Sequence, residues 1–219
     1  MQKFLTEMLQ CPACQGALKW NITDQEGDQI EAGEARCKAC GASYPIRQGI
    51  GVFLTGDLAR NDLWEQVEGQ LSQYLQAQPE LEQRLMNTPL DSLSPADQYY
   101  RALVLEERGA FTQARVIFNA AEGKLYTPEY LICHESQVDY LLNYLEKGNG
   151  PIIDLASGRC DLVQEIARRI DRPVVATDFS LRILRRDRRW LEAFGLYRQV
   201  SLLALDARRT PFKDRSVQT

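Results

Sequence analysis

Two Cys-x-x-Cys pairs near the start of the chain constrain its fold more than any other feature of the sequence. The paired cysteines are Cys11, Cys14, Cys37 and Cys40, with 22 residues between the two pairs. The residues between the pairs predict two short strands around a polar turn. Four thiolates from two such pairs can enclose a tetrahedral zinc ion with every position filled, as in structural sites. The pairs therefore predict a small zinc-ribbon module over residues 1–55.

The sequence predicts a cytoplasmic protein with no membrane segment. It starts without an apolar run of signal-peptide length, and no stretch approaches the roughly 18 apolar residues that span a bilayer. In a reducing compartment, paired cysteines bind metal more often than they form disulfides. Cys133 and Cys160 stand apart from the pairs, and we expect both to be small buried residues.

Short motifs beside the two pairs resemble those of a known family. Gly16 and Leu18 follow the first pair, Gly41 follows the second, and residues 44–50 read Tyr-Pro-Ile-x-x-Gly-Ile. Together they resemble the small zinc ribbon that activates eukaryotic tRNA, rRNA and release-factor methyltransferases, a pattern that related short bacterial proteins share. The resemblance implies a non-catalytic ribbon whose neighbour handles S-adenosylmethionine.

Residues 56–148 predict an acidic helical segment. Residues 56–150 carry seven Lys or Arg against fifteen Asp or Glu, whereas residues 151–219 carry fourteen against nine. This reversal indicates separate modules and leaves room for an anionic partner near the C-terminal part. Helical spacing predicts a first helix ending before Pro79, with these apolar residues: Leu63, Trp64, Val67, Leu71, Tyr74 and Leu75. Ser94 and Pro95 open a second helix, and others follow over about 112–123 and 134–147.

The last module, residues 149–219, alternates between predicted strands and helices. Strands are expected at 151–155, 173–177 and 201–205, with a helix after each of the first two. This pattern predicts an α/β fold with a Rossmann-like parallel sheet that binds ligands at the carboxyl ends of its strands. Gly158 allows close backbone approach, and Asp178 ends a strand where an acid can accept the hydroxyls of a ribose. Asp206 ends the next strand, where it can accept from an adenine amino group.

These segments resemble class I S-adenosylmethionine-dependent methyltransferases. Residues 154–158 match the cofactor loop, 176–180 the ribose segment and 205–207 the adenine segment, although Ala156 and Cys160 replace the usual glycines. The resemblance implies an S-adenosyl-L-methionine site of seven residues: Asp154, Ala156, Gly158, Asp178, Phe179, Asp206 and Ala207. A nicotinamide-dependent Rossmann enzyme is the competing interpretation, but a complete Gly-x-Gly-x-x-Gly motif is absent.

The resemblance reaches only the first three to four strands of the methyltransferase sheet. We therefore expect the chain to be either a fragment of a longer methyltransferase or a short form of one. In both cases the first of these strands would have an open edge, with which a partner or a further segment of chain could pair. The sequence predicts no catalytic residue, and the methyl acceptor is open between RNA, protein and small molecules. The alternatives are a non-catalytic ribbon adaptor and an RNA-binding protein that uses the arginines of residues 182–189.

Overall fold

The structure is a computed structural model that describes residues 1–66 and 69–217. Val67, which we place on the first predicted helix, and the last two residues of the C-terminal module lie outside the described residues. The chain forms two compact units: Met1–Glu65 together with Leu142–Thr219, and Gln66–Leu141. Helices and a mixed sheet confirm the α/β class. None of the described helices is both long and apolar enough to span a membrane.

Within the described residues, seven strands of the first unit form one sheet in the order β1-β2-β3-β4-β7-β6-β5. The strands are β1 Leu18–Glu26, β2 Gln29–Cys37, β3 Ser43–Arg47, β4 Ile50–Val52, β5 Ile152–Leu155, β6 Val174–Asp178 and β7 Val200–Ala204. Strands β1 to β4 form an antiparallel meander, whereas β5, β6 and β7 are parallel, as the sequence predicts. The two groups join because β4 pairs in parallel with β7, with Ile50 opposite Leu202. The ribbon and the C-terminal strands therefore share a single sheet, which the sequence does not reveal.

One apolar core lies against this shared sheet. Phe53, which follows β4, is 1% exposed and stacks on the Tyr44 ring with the ring centroids 5.5 Å apart. Leu203 of β7 and Val175 of β6 belong to the same buried cluster. Burial of apolar surface is the dominant favourable contribution to folding, so this core stabilises the ribbon and the C-terminal strands together.

Helices connect the parallel strands in the predicted order. The helices are α1 Leu5–Met8, α2 Leu63–Gln66, α3 Gln70–Gln76, α4 Pro79–Asn87, α5 Pro95–Glu107, α6 Phe111–Leu125, α7 Pro128–Leu145, α8 Asp161–Arg169 and α9 Leu181–Ala193. Helix α8 links β5 to β6, and α9 links β6 to β7, so the chain runs strand, helix, strand, helix, strand. Because parallel strands need such crossovers, all three carboxyl ends meet at one edge of the sheet.

The second unit is helical, as the sequence predicts. Helix α5 begins as expected, with the Ser94 hydroxyl oxygen accepting a hydrogen bond from the Asp97 amide at 3.1 Å. The first predicted helix corresponds to α2 and α3, and α4 is an additional helix that begins at Pro79, a residue suited to a first helical turn. Leu75 is buried as predicted, but Tyr74 is 54% exposed. Cys133, expected to be buried, is exposed on α7.

Candidate metal centre and cofactor site

The four paired cysteines come together, and their sulfur atoms all lie within 4.8 Å of one another. The sulfurs of Cys11 and Cys40 are 3.7 Å apart, and those of Cys14 and Cys37 are 3.5 Å apart. A tetrahedral zinc ion with Zn–S bonds of about 2.3 Å places its sulfurs about 3.8 Å apart. The cluster is therefore compatible with the predicted zinc ion, and the described residues provide four sulfur ligands for it.

Backbone hydrogen bonds favour the thiolate at Cys37, the form of cysteine that binds metal, whereas side-chain contacts with the other cysteines raise the pKa of Cys14. The backbone N–H groups of Cys40 and Ala39 donate to the Cys37 sulfur, each at 3.4 Å. These bonds, the Cys40 bond most strongly, lower the pKa of Cys37 to about 6. The Tyr44 hydroxyl lies 3.2 Å from the Cys11 sulfur. Outer partners of this kind orient metal ligands and tune their affinity.

Gly16 allows the two cysteine loops to approach each other. A Cβ atom at this position would lie 2.9 Å from the Ala39 Cβ and 3.0 Å from the Cys37 sulfur. Side chains do not pack at such distances, so a larger residue would push the two loops apart. The glycine after the first cysteine pair is therefore part of the metal centre's geometry.

The predicted cofactor loop follows β5 and is held against the end of β6. The Gly158 amide donates to the Asp178 carboxylate at 3.3 Å, and the Ser157 amide donates to the Thr177 carbonyl at 2.8 Å. Ala156 and Cys160 both have left-handed backbone conformations, with φ of 61° and 59°. Non-glycine residues adopt this conformation at a steric cost. The loop therefore has the backbone shape that glycines would favour, although alanine and cysteine occupy these two positions. Cys160 is buried, as the sequence predicts.

Asp178 and Asp206 lie at the same edge of the sheet, at the ends of adjacent parallel strands. The Leu205 amide donates to the Asp178 main-chain carbonyl at 3.0 Å, which ties the two strand ends together. The Asp178 carboxylate also accepts from the Ser180 amide at 2.9 Å. The structure thus brings the predicted ribose and adenine acids and Gly158 into one region. Their role in binding a cofactor stays a prediction.

Asp206 has cationic partners that sequence reasoning missed. Its two carboxylate oxygens accept from the Arg208 guanidinium at 2.9 and 2.7 Å, and Arg60 lies 3.9 Å away. Hydrogen bonding to Arg208 is the main reason that the pKa of Asp206 falls to about 2. Arg60 is far from Asp206 in sequence and belongs to no recognisable motif, so only the fold could identify it. The neighbouring Ala207, predicted to contact adenine, is exposed.

A hollow of about 290 Å³ opens beside this edge. Its lining includes Phe179, which precedes α9, and Leu181, the first residue of α9. Leu54 at the end of the ribbon module and Arg60 just after that module also line it. Phe179 is 37% exposed, so its ring is available to a flat ligand. Among the seven predicted cofactor residues, only Phe179 lines the hollow. Asp154 lies within β5, and Ala156 lies on the loop after it.

The side chains of two arginines on α9 form contacts with other residues of the first unit. Arg186 donates to the Arg159 carbonyl and to the Asp187 carboxylate, both at 2.8 Å, and lies over the Trp190 ring. Arg188 forms ion pairs with carboxylates of the ribbon and of α9. These contacts occupy side chains that the RNA hypothesis needs on the surface. RNA binding by α9 stays a prediction.

Comparisons with known proteins identify the ribbon. Residues 2–49 match the model of the family described as Trm112p-like protein. A UPF0434 protein of Nitrosococcus oceani is 37% identical over 67 residues, which are 31% of this chain and 100% of the relative. UPF0434 proteins of Methylobacillus flagellatus and Stutzerimonas stutzeri are 35% and 32% identical over 68 residues, 31% of this chain and 100% and 98% of those relatives. The chain therefore belongs, through its N-terminal residues, to the Trm112p-like zinc-ribbon family (UPF0434).

Proposed function

We propose that this chain is an S-adenosylmethionine-dependent methyltransferase whose zinc ribbon is built onto the edge of its own cofactor-binding sheet. The observation that carries the proposal is the parallel order β7-β6-β5, with Gly158, Asp178 and Asp206 at the carboxyl ends. Open α/β sheets bind nucleotide ligands at this edge. The strand and helix order supports a Rossmann-like assignment, and the methyl acceptor is not identified.

The residues at the edge suit an adenosine. Nothing lies within 4 Å of a Cβ built on Gly158, so a ligand can approach this backbone closely. Asp178 would accept the ribose hydroxyls, and the Phe179 ring would cover one face of the base. Asp206 accepts three hydrogen bonds from Arg208, one from its amide and two from its guanidinium group. A carboxylate has about four acceptor positions, so one would be left for an adenine amino group. Asp154 lies near the loop, and burial raises its pKa.

The bound cofactor would supply an electrophilic methyl group attached to sulfur. The residues of this chain would hold the nucleoside in a fixed position, and approach geometry of this kind accounts for much of the rate of such group transfers. The ribbon would contribute by pairing β4 with β7, because an unpaired β7 would leave backbone hydrogen-bonding groups open at that side of the sheet. The ribbon thus has a stabilising function in cis.

Calorimetric titration with S-adenosylhomocysteine tests the proposal on the full chain. We expect binding in the wild type and at least about a tenfold weaker affinity in Asp178→Asn, since a hydrogen bond to a charged group is worth about 1.5–3 kcal/mol. Asp171→Asn, on the exposed loop between α8 and β6, is the matched control and should bind as the wild type does. No heat of binding in folded, zinc-loaded protein would refute the cofactor site.

A non-catalytic adaptor is the second candidate, and the relatives favour it. The UPF0434 proteins of Nitrosococcus oceani and Methylobacillus flagellatus match along 100% of their length, so a ribbon alone makes up a whole protein there. In that case the C-terminal strands would serve only to hold the ribbon. Absence of S-adenosylhomocysteine binding, combined with an unchanged unfolding midpoint in Asp178→Asn, would support the adaptor.

A further inference from the structure

The hollow beside the candidate cofactor residues is built by two distant parts of the first unit. The segment that follows β4 contributes four of its seven lining residues: Leu54, Arg60, Asp62 and Glu65. The other three lie on α9 or just before it: Phe179, Leu181 and Arg185. The volume of about 290 Å³ is at the lower end of the range of about 300–1,000 Å³ that is common for ligand sites. The hollow therefore suits the base of a nucleoside better than a whole nucleoside.

Hydrogen bonds fasten the segment after β4 to the residues that follow β7. The Arg208 guanidinium donates to the Ala59 carbonyl at 3.1 Å. The Arg209 guanidinium donates to the Asp57 carboxylate at 2.6 Å. These two bonds connect the ribbon side of the sheet with the C-terminal strands. They hold the part of the chain that carries Arg60 beside the predicted adenine segment.

The Arg60 side chain lies between the hollow and Asp206. Its Nη1 atom donates to the Thr55 carbonyl at 2.9 Å and lies 3.9 Å from Asp206 Oδ2. The second distance is too long for a hydrogen bond. A guanidinium group carries five N–H donors, so donors remain for a ligand in the hollow that Arg60 lines.

The acceptor nearest to Arg60 is the less occupied oxygen of Asp206. Oδ1 accepts from both the backbone amide and Nε of Arg208, whereas Oδ2 accepts from Nη2 of Arg208. A carboxylate has about two acceptor positions on each oxygen, so within the described residues the remaining position belongs to Oδ2. A donor group and an acceptor atom therefore lie side by side, 3.9 Å apart.

We infer that Arg60 is a specificity residue for the base of the cofactor, supplied from the ribbon side of the sheet. Adenine presents an amino donor next to a ring-nitrogen acceptor, which is the complement of the Asp206 and Arg60 pair. Arg60 would donate to that ring nitrogen, and Asp206 Oδ2 would accept from the amino group. A base with a carbonyl oxygen in place of the amino group would instead bring an acceptor against Asp206. This inference rests on the proposed function, because it assigns a further residue to the same site.

Calorimetry with S-adenosylhomocysteine and two analogues tests the inference on the full chain. In one analogue C–H replaces the ring nitrogen at position 1 of the base, and in the other it replaces the nitrogen at position 7; these are the ring nitrogens on either side of the amino group. We expect the wild type to bind one of the analogues at least about fivefold more weakly than S-adenosylhomocysteine, because that analogue leaves an Arg60 donor without its acceptor. Equal affinities for all three ligands would overturn the inference and leave the proposed function intact. No binding of any of them would refute the proposed function, and this inference with it.

The variant Arg60→Met identifies the group that reads the ring nitrogen. Without the guanidinium group, the weaker analogue and S-adenosylhomocysteine should bind with affinities equal to within about twofold. Both ligands are titrated into the same protein sample, so a smaller folded fraction would not change this ratio. Arg198→Met is the matched control, since Arg198 is 88% exposed at the other end of β7 and pairs with Glu26. This control should keep the wild-type ratio. A wild-type ratio in Arg60→Met, or a ratio lost equally in the control, would overturn the assignment.

Discussion

Replacing Phe53 with alanine should destabilise the ribbon and the C-terminal strands together. The Phe53 ring is 1% exposed, stacks on Tyr44 and meets Trp20 edge-on at a centroid distance of 6.1 Å. Truncating a buried phenylalanine to alanine costs about 3–5 kcal/mol. With a urea dependence of about 2 kcal/mol per molar, the midpoint of unfolding should fall by about 2 M.

The assay follows two tryptophans in separate single-tryptophan proteins. Trp20 lies on β1 of the ribbon, and Trp190 lies on α9 among the C-terminal strands and helices. Because Phe53 packs in the core that both parts share, its loss should shift both fluorescence transitions by the same amount. Phe179→Ala, which removes a ring that is 37% exposed, is the control and should shift them much less. If the Trp20 transition moves while the Trp190 transition stays in place, the shared core does not couple the two parts.

Two further perturbations test other parts of the first unit. Cys37→Ser removes one of the four sulfur ligands. Bound zinc, measured by elemental analysis, should fall below about half an equivalent, and the unfolding midpoint should drop. The control Cys133→Ser, at an exposed position on α7, should change neither quantity. Burial raises the pKa of Asp187 from 3.8 to about 7. The charges of Arg186 and Arg159 and a hydrogen bond from Cys160 lower this pKa, but burial outweighs them. The folded protein therefore keeps this proton where the unfolded chain releases it, and the free energy of unfolding should fall as pH rises from 3.8 to about 7. Asp187→Asn should flatten that decline, which urea titrations at several pH values measure; an unchanged slope would contradict the assignment.

Local patterns were enough to predict the clustering of the four paired cysteines and the order of the C-terminal elements. The cysteine spacing fixes a geometry within two short loops, and the alternation of strands and helices after residue 149 fixes a parallel sheet. Residues that end parallel strands, such as Asp178 and Asp206, could be placed at one edge for the same reason.

Contacts between distant segments could not be predicted in this way. Strand β4 has three residues, Ile50–Val52, and nothing in them specifies a partner about 150 residues away in sequence. The pairing depends on the apolar surface that both segments bury together. Arg60 meets Asp206 through the same long-range arrangement.

The pairing of β4 with β7 within one polypeptide has a consequence for how the ribbon is shared in the cell. Because both strands belong to one chain, their pairing is intramolecular and does not depend on the concentration of a separate ribbon protein. Stand-alone ribbons of the same family would therefore compete poorly for this sheet edge. Fusion fixes the stoichiometry at one ribbon per sheet and makes it independent of how much separate ribbon protein is made.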